Sequence, residues 1–180
     1  LYVIDSFCNS TPEVFDKIEY FLKQKNKFEK NKLNVVEGNI KQKEILEEIF
    51  AQALAKGRPI QGVIHFAGLK SVKESVIKPL VYWDENIVGT INLLKMMDRH
   101  NCRNIVFSSS ATVYGTSTND NCFKESSPTK PCNPYGYTKS TIENLLHNLY
   151  DSSINNWNII NLRYFNPIGA HPSGLIGENP

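Results

Sequence analysis

The sequence predicts an α/β fold built on a doubly wound parallel sheet with helices on both faces. Three observations predict it. Short apolar, β-rich runs alternate with helical patterns of roughly ten to twenty residues. The runs, "LYVID", "GVIHFAG", "NIVFSSS" and "WNIINLRYF", are short and mostly apolar, and they read as strands of a parallel sheet covered on both faces. Each run also breaks into polar or glycine residues, where a strand hands over to a right-handed crossover.

In chain order, "LYVID" reads as a buried strand that ends at Asp5 before the polar "SFCNSTP". Residues 12–25 are helical by pattern, and 34–37 form a weak strand ending at Gly38. Ile45, Leu46, Ile49, Phe50, Ala53 and Leu54 then recur at helical spacing until Gly57 and Pro59 stop them. "GVIHFAG" is a buried strand running into glycine. Pro79 starts a helix that carries Leu80, Trp83, Ile87, Ile91, Leu94 and Met97 toward a core, followed by the strand "NIVFSSS". A polar, proline-bearing loop over 115–133 leads to the helix behind Pro134, and "WNIINLRYF" is the last strand.

At 180 residues and 41% hydrophobic, the chain has one domain's length and enough apolar content for a sizeable core. Twenty basic against 18 acidic residues leave +2, with no block of one sign that would mark a nucleic-acid footprint. The densest basic run, lysines 23, 25, 27, 30 and 32, is flanked by glutamates and reads as a solvated helix face or loop. The cysteines at 8, 102, 122 and 132 show neither CxxC spacing nor disulfide density, which fits a reducing, cytosolic compartment. No stretch reaches the roughly 18 apolar residues of a membrane span. The chain opens on Leu1 inside an apolar run, so its natural N-terminus is expected upstream.

In parallel α/β sheets, ligands bind beyond the carboxyl ends of the strands. The polar clusters at 5–10, 38–40, 67–70, 108–114 and 166 onward are therefore candidates. Asp5 closes a strand where a carboxylate can accept from a ribose hydroxyl and would repel the extra phosphate of NADP; ordinary turn chemistry is the alternative. The Gly-rich loop that usually accompanies such an aspartate would precede Leu1. Ala67 and Gly68, before Leu69 and Lys70, allow close approach of a ligand or simply tight packing. His65 lies inside an apolar strand and reads as a core histidine, and His100, His147 and His171 share no metal-binding spacing.

Ser108, Ser109 and Ser110 put at least one hydroxyl at a strand end, able to cap backbone or to relay a proton from a substrate oxygen. Tyr135 and Lys139 stand at i and i+4, one turn apart on a helix face. An adjacent ammonium favours the phenolate and lowers a pKa that is ordinarily about 10. A lone YxxxK is equally a surface pair. Its place 25 residues after Ser110, behind a serine-tipped strand, is what favours chemistry.

"HFAGLKSV", "SSSATVYG", "NPYGYTKS" and "LRYFNPIGAHPSG" occur in this order. With them the chain resembles the extended short-chain dehydrogenase/reductase family, and within it the UDP-glucose 4-epimerases, over essentially all 180 residues. The resemblance implies a Rossmann-like fold lacking its first βα unit and the C-terminal substrate domain, so that 1–180 is a partial NAD-binding domain. It implies Tyr135 as catalytic base, Lys139 lowering its pKa and binding the nicotinamide ribose, and Ser110 completing the triad. Asp5, Ser6, Cys8, Asn9 and Ser10 would hold the adenosine ribose, and Asn39 and Ile40 would sit by adenine. Phe66, Ala67, Gly68, Lys70, Asn86 and Ser108 would line the NAD, with Tyr164 and Phe165 near the nicotinamide. Lys70, Ser110, Thr112, Tyr135 and Asn166 would touch the UDP-sugar.

The implied reaction interconverts UDP-glucose and UDP-galactose. Proton and hydride leave C4 and return on the other face, in an enzyme that keeps its NAD. Family members that eliminate or decarboxylate place an Asp or Glu just after the serine of this strand end. Here those positions are Ala111, Thr112 and Val113, so plain oxidation with hydride return is left. Asn39 stands where the family usually has Asp, Ser6 where it has Asn, and Lys73 where it has Gly. A homodimer through the helices after Pro79 and Pro134 is implied in the full-length protein, with neither nucleic acid nor membrane as partner. An epimerase of UDP-N-acetylhexosamine or UDP-glucuronate, and a truncated non-catalytic remnant, are the other expectations.

Overall fold

Strands and helices alternate along residues 1–24, 33–116, 122–152 and 156–177, which the computed structural model describes. The chain falls into two units, Leu1–Asn39 with Asn166–Pro180, and Ile40–Phe165. In the first, β1 (Tyr2–Asp5) and β2 (Asn34–Glu37) pair in parallel, Tyr2 opposite Asn34 and Asp5 opposite Glu37. Between them α1 (Glu13–Gln24) carries Glu13 and Asp16 in its first turn and Lys23 in its last, matching the helix dipole. Lys23 pairs with Glu19 on the exposed face, while lysines 25, 27, 30 and 32 lie outside the described residues.

The second unit holds α2 (Lys43–Ala55), β3 (Gly62–His65), α3 (Val72–Ile77), α4 (Pro79–Trp83), a π turn (Asp84–Val88) and α5 (Gly89–Arg99). These are followed by β4 (Asn104–Ser110), a 3-10 turn (Ala111–Tyr114), α6 (Pro134–Asp151) and β5 (Asn158–Tyr164). The strands form a parallel sheet in the order β3-β4-β5, with His65 opposite Phe107 and Ser109 opposite Arg163. Ile105, Phe107 and Ser109 of central β4 are buried in period two. Leu46, Phe50 and Ala53 of α2, Leu94 and Met97 of α5, and Ile142 and Leu146 of α6 are also buried.

The strands are all parallel, as expected, and pair in two ladders, β1-β2 and β3-β4-β5. Two expectations about burial are corrected. "LYVID" is half-buried, and in β3 only His65 is buried while Ile64 is exposed. A strand with one ladder neighbour is covered only in part. Leu80 and Trp83 do not face the core: Leu80 is 82% exposed, and Tyr82 and Asn86 are buried instead. The π turn widens the helical run behind Pro79 and rotates the apolar stripe, so one 3.6-residue period cannot describe both ends. Leu54 is likewise exposed at the end of α2.

The N-terminus of α6 decides the site. Pro134 occupies the first turn, and the Asn133 side chain accepts from the Gly136 N–H at 2.8 Å. A Cβ on Gly136 would come within 2.9 Å of the Thr112 carbonyl oxygen, so glycine lets the first turn of α6 lie directly on the 3-10 turn.

Candidate active site

Tyr135, Lys139 and Glu143 follow at intervals of four and share one face of α6. That face meets the carboxyl end of β4 at three consecutive residues. Lys139 Nζ donates to the Ser108 carbonyl at 2.7 Å, the Ser109 hydroxyl donates to Glu143, and Tyr135 hydrogen-bonds Ser110. Ser110 Oγ already accepts from the Thr112 N–H at 3.2 Å and the Thr112 hydroxyl at 3.0 Å. Its own proton is therefore directed to the Tyr135 oxygen, where it favours the phenolate. Thr112 thus orients Ser110.

Burial pushes the Tyr135 phenol above its ordinary value, against the Ser110 hydrogen bond and the charge of Lys70, which pull it down. In the protein alone the net shift of this phenol is upward, and Lys70 is a cation that pulls it down. Lys139 Nζ lies 5.7 Å from the Tyr135 ring centre and 4.8 Å from that of Phe107. Burial lowers Lys139 to about 8, because its charge has a carbonyl and ring faces in place of water.

A second network fixes the loop after β3. The π turn directs Asn86 inward, where its Oδ1 accepts from Leu69 N at 2.8 Å and its Nδ2 donates to the Leu69 carbonyl and to Thr138 Oγ1, both at 3.1 Å. Thr138 donates onward to the Tyr135 carbonyl. Asn86 is thereby a clip that ties residue 69 to the first turn of α6. Behind it the Thr90 hydroxyl donates to the Asn86 carbonyl at 2.6 Å, so it accepts from His65 Nε2–H at 2.8 Å. Burial, with the Lys139 charge, lowers His65 to about 3 and keeps the ring neutral.

Ser108, Ser109 and Ser110, Tyr135 and Lys139 come together as the chain order indicated, and Lys70 joins them. Phe66 and Gly68 are exposed at the end of β3 and Ala67 half-buried, with the Phe66 and Tyr164 rings 6.4 Å apart. Phe165 is also exposed. Ile40 is buried, and a Cβ on Gly89 would come 2.7 Å from its side chain. In the other unit Asp5 Oδ1 accepts from Phe7 N at 2.8 Å and Ser10 Oγ at 3.3 Å, an Asx turn. Ser6, Cys8, Asn9 and Asn166 there are exposed, and Asn39 is half-buried. Sequence reasoning missed Glu143, Arg163, Thr138 and Thr90. Glu143 carried a signal, eight residues after Tyr135 on one helix face, as did Arg163, a lone cation inside an apolar strand.

The sequence profile of the NAD dependent epimerase/dehydratase family matches residues 16–178. The chain belongs to this family. Within the NAD dependent epimerase/dehydratase family, UDP-glucose 4-epimerase 2 of Arabidopsis thaliana is 44% identical across 99% of this chain and 48% of its own length. Bifunctional protein gal10 of Schizosaccharomyces pombe is 48% identical across 99% of this chain and 24% of its own. The crystal structure of UDP-glucose 4-epimerase from Bifidobacterium longum in complex with NAD+ and UDP superposes with a TM-score of 0.87 at 40% identity, over 99% of this chain and 50% of that one. The chain thus spans about a quarter to a half of these family members and shares their Rossmann-like α/β fold. Among the described residues no helix is long and apolar enough to cross a membrane, and no cluster of three metal-ligating side chains occurs.

His65 sets a testable pH dependence. Between pH 6.5 and about 3 the unfolded chain binds a proton that the folded one refuses, so stability falls as pH falls through this window. His65→Gln keeps a donor for Thr90 and has no proton to gain. Its urea midpoint is expected to fall less between pH 6.5 and 3 than that of the unsubstituted protein; equal acid sensitivity would assign the effect elsewhere.

Proposed function

We propose that residues 1–180 are the NAD-binding part of an isomerase that interconverts UDP-glucose and UDP-galactose by transient oxidation at sugar C4, a reaction of galactose metabolism. The observation that carries this reading is the buried residue Tyr135 with its hydroxyl bonded to Ser110, Lys70 acting on it and no carboxylate in the following turn, Ala111, Thr112 and Val113. The substrate and cofactor come from the family members: the Bifidobacterium longum enzyme binds NAD+ and UDP.

The residues present suit NAD. Among the described residues, the hydrogen bonds to Asp5 from Phe7 and Ser10 fall on Oδ1, and Oδ2 is the oxygen suited to a ribose hydroxyl. Ser6, Cys8, Asn9 and Ser10 would complete that end, Asn39 and Ile40 would serve adenine, and Phe66, Ala67, Gly68, Lys70, Ser108, Tyr164 and Phe165 would hold the rest. When bound, NAD supplies the acceptor that takes the C4 hydride and gives it back.

The chain's own part is to hold and move a proton. Tyr135 Oη, held by Ser110, removes the proton of the sugar 4-hydroxyl and returns it after the 4-keto sugar has turned over in the pocket. Burial opposes the phenolate, while the Ser110 hydrogen bond and the charge of Lys70 favour it, and the charge of an oxidised nicotinamide ring would favour it further when NAD is bound. Lys70 and Thr112 stand beside this centre, and Asn166 is assigned to the UDP-sugar by resemblance alone. The four cysteines are free thiols, which supports a cytosolic setting.

Val76, Ile77, Leu80 and Tyr137 are exposed on α3, α4 and α6, which pack on one another. This apolar face supports a homodimer through these helices. In the protein that carries these residues, Tyr135→Phe is expected to lower kcat for UDP-galactose by at least about a hundredfold while bound NAD is retained; an unchanged rate would remove Tyr135 from the mechanism. Leu80→Asp is expected to shift the protein from dimer to monomer in sedimentation velocity, and an unshifted dimer would place the interface elsewhere.

A further inference from the structure

Glu143 and Arg163 form a two-pronged ion pair that the proton transfer does not use. Glu143 lies one turn past Lys139 and two past Tyr135, and its carboxylate accepts from Arg163 Nε at 3.0 Å and Nη2 at 2.7 Å. Ser109, opposite Arg163 in the β4–β5 register, donates to the same carboxylate. Arg163 Nη1 donates to the Tyr114 hydroxyl at 3.0 Å and the Glu125 carbonyl at 3.1 Å. Glu143 is only 7% exposed. The pair therefore joins α6, β4, β5, the 3-10 turn and the loop before α6 at one point.

Apolar residues of similar volume brace such a junction as well as an ion pair does, so stability alone does not call for charge here. Charge two turns behind a titrating phenol acts on that phenol, at a separation of about 12 Å along the helix. We propose that Glu143 and Arg163 are a positioning pair for Tyr135: the fork sets the register of α6 on β4 so that Tyr135 meets Ser110, and its two charges cancel behind the phenol. This rests on the reading of Tyr135 as the base.

The other charged groups around Tyr135 are accounted for. Lys139 shares its helix and donates to Ser108, and Lys70 acts from the loop after β3. His65 on β3 is neutral. Glu74 takes Lys78 and Tyr82 on the α3 and α4 side, Asp84 and Glu85 of the π turn pair with Lys41, and Tyr114 is bonded to Arg163.

The test is the pH profile of kcat in the NAD-loaded protein. Glu143→Gln leaves an uncompensated cation, and the acid limb is expected to move to lower pH by about half to one unit. Arg163→Gln leaves an uncompensated anion, and the limb is expected to move up by a similar amount. The double variant is expected to return it to its original place, with KM for UDP-galactose changed less than about twofold throughout. Activity lost with the limb unmoved in both single variants would make the pair a plain brace and overturn the proposal, as would a rise in KM in place of the shift.

Arg163→Lys keeps the charge and loses the fork, and it decides the matter if a single variant does not fold. Its kcat is expected to fall about tenfold or more with the limb in place, and an unchanged kcat overturns the positioning role. Phenol absorbance, with the Tyr135→Phe signal subtracted, follows the same shifts without turnover. If those shifts appear in a protein that does not turn over UDP-galactose, the substrate reading fails and the pair's role stands.

Discussion

The attachment of α6 to the carboxyl end of β4 is the constraint on which the site depends. Three side chains one turn apart on the helix engage three consecutive strand residues, through Lys139 to Ser108, Glu143 to Ser109 and Tyr135 to Ser110. Arg163 fastens the middle of this contact from β5. Removing one partner of a buried ion pair costs about 3–5 kcal/mol, a large share of the roughly 5–15 kcal/mol that holds a domain together. Helix capping by Asn133, worth about 1 kcal/mol, refines a position that the buried polar contacts already hold. Small size at Gly136 then allows the turn carrying Ser110's partner, Thr112, to sit against the first turn of α6.

The same contacts explain why the phenol is guarded rather than reactive in the protein alone. Burial raises Tyr135, one hydroxyl and one neighbouring cation oppose it, and burial wins. Lys139 is itself kept in a dry place that lowers it to about 8, a cost of about 3 kcal/mol relative to an exposed lysine. Among the described residues no carboxylate pairs with Lys139, because the acid on its own helix face, Glu143, is taken by Arg163. A buried cation left without a counter-charge is poor economy in a structural element and sensible where an anion forms during reaction. The Asn86 clip serves the same end from the other side, holding the loop that carries Lys70 against the backbone of Tyr135.

Much of this was legible in the residues. Proline at the start of α6, four-residue spacing from Tyr135 to Lys139 and serines tipping an apolar strand are local signals, and each appears where its spacing predicts. Other features were hidden for physical reasons. Strand pairing depends on neighbours supplied by the whole chain, so the division of the parallel strands into two ladders was not legible. A π turn is invisible to a 3.6-residue period, which misplaced Leu80 and Trp83 and concealed the inward turn of Asn86. The sign of the Tyr135 shift needed burial as well as spacing, since an ammonium one turn away on a helix diagram spends its charge on a carbonyl and a ring. Arg163 and Glu143 lie 20 residues apart, and only the β4–β5 register brings them to one serine.

The most direct test of this account is a titration of Tyr135 itself, by ring-carbon NMR in protein labelled at tyrosine, with and without NAD and in Ser110→Ala. The account predicts that the phenol titrates above its ordinary value of about 10 in the protein alone, falls when NAD+ binds, and rises again when the Ser110 donor is removed. A Tyr135 titration that neither NAD+ nor Ser110→Ala moves would contradict it.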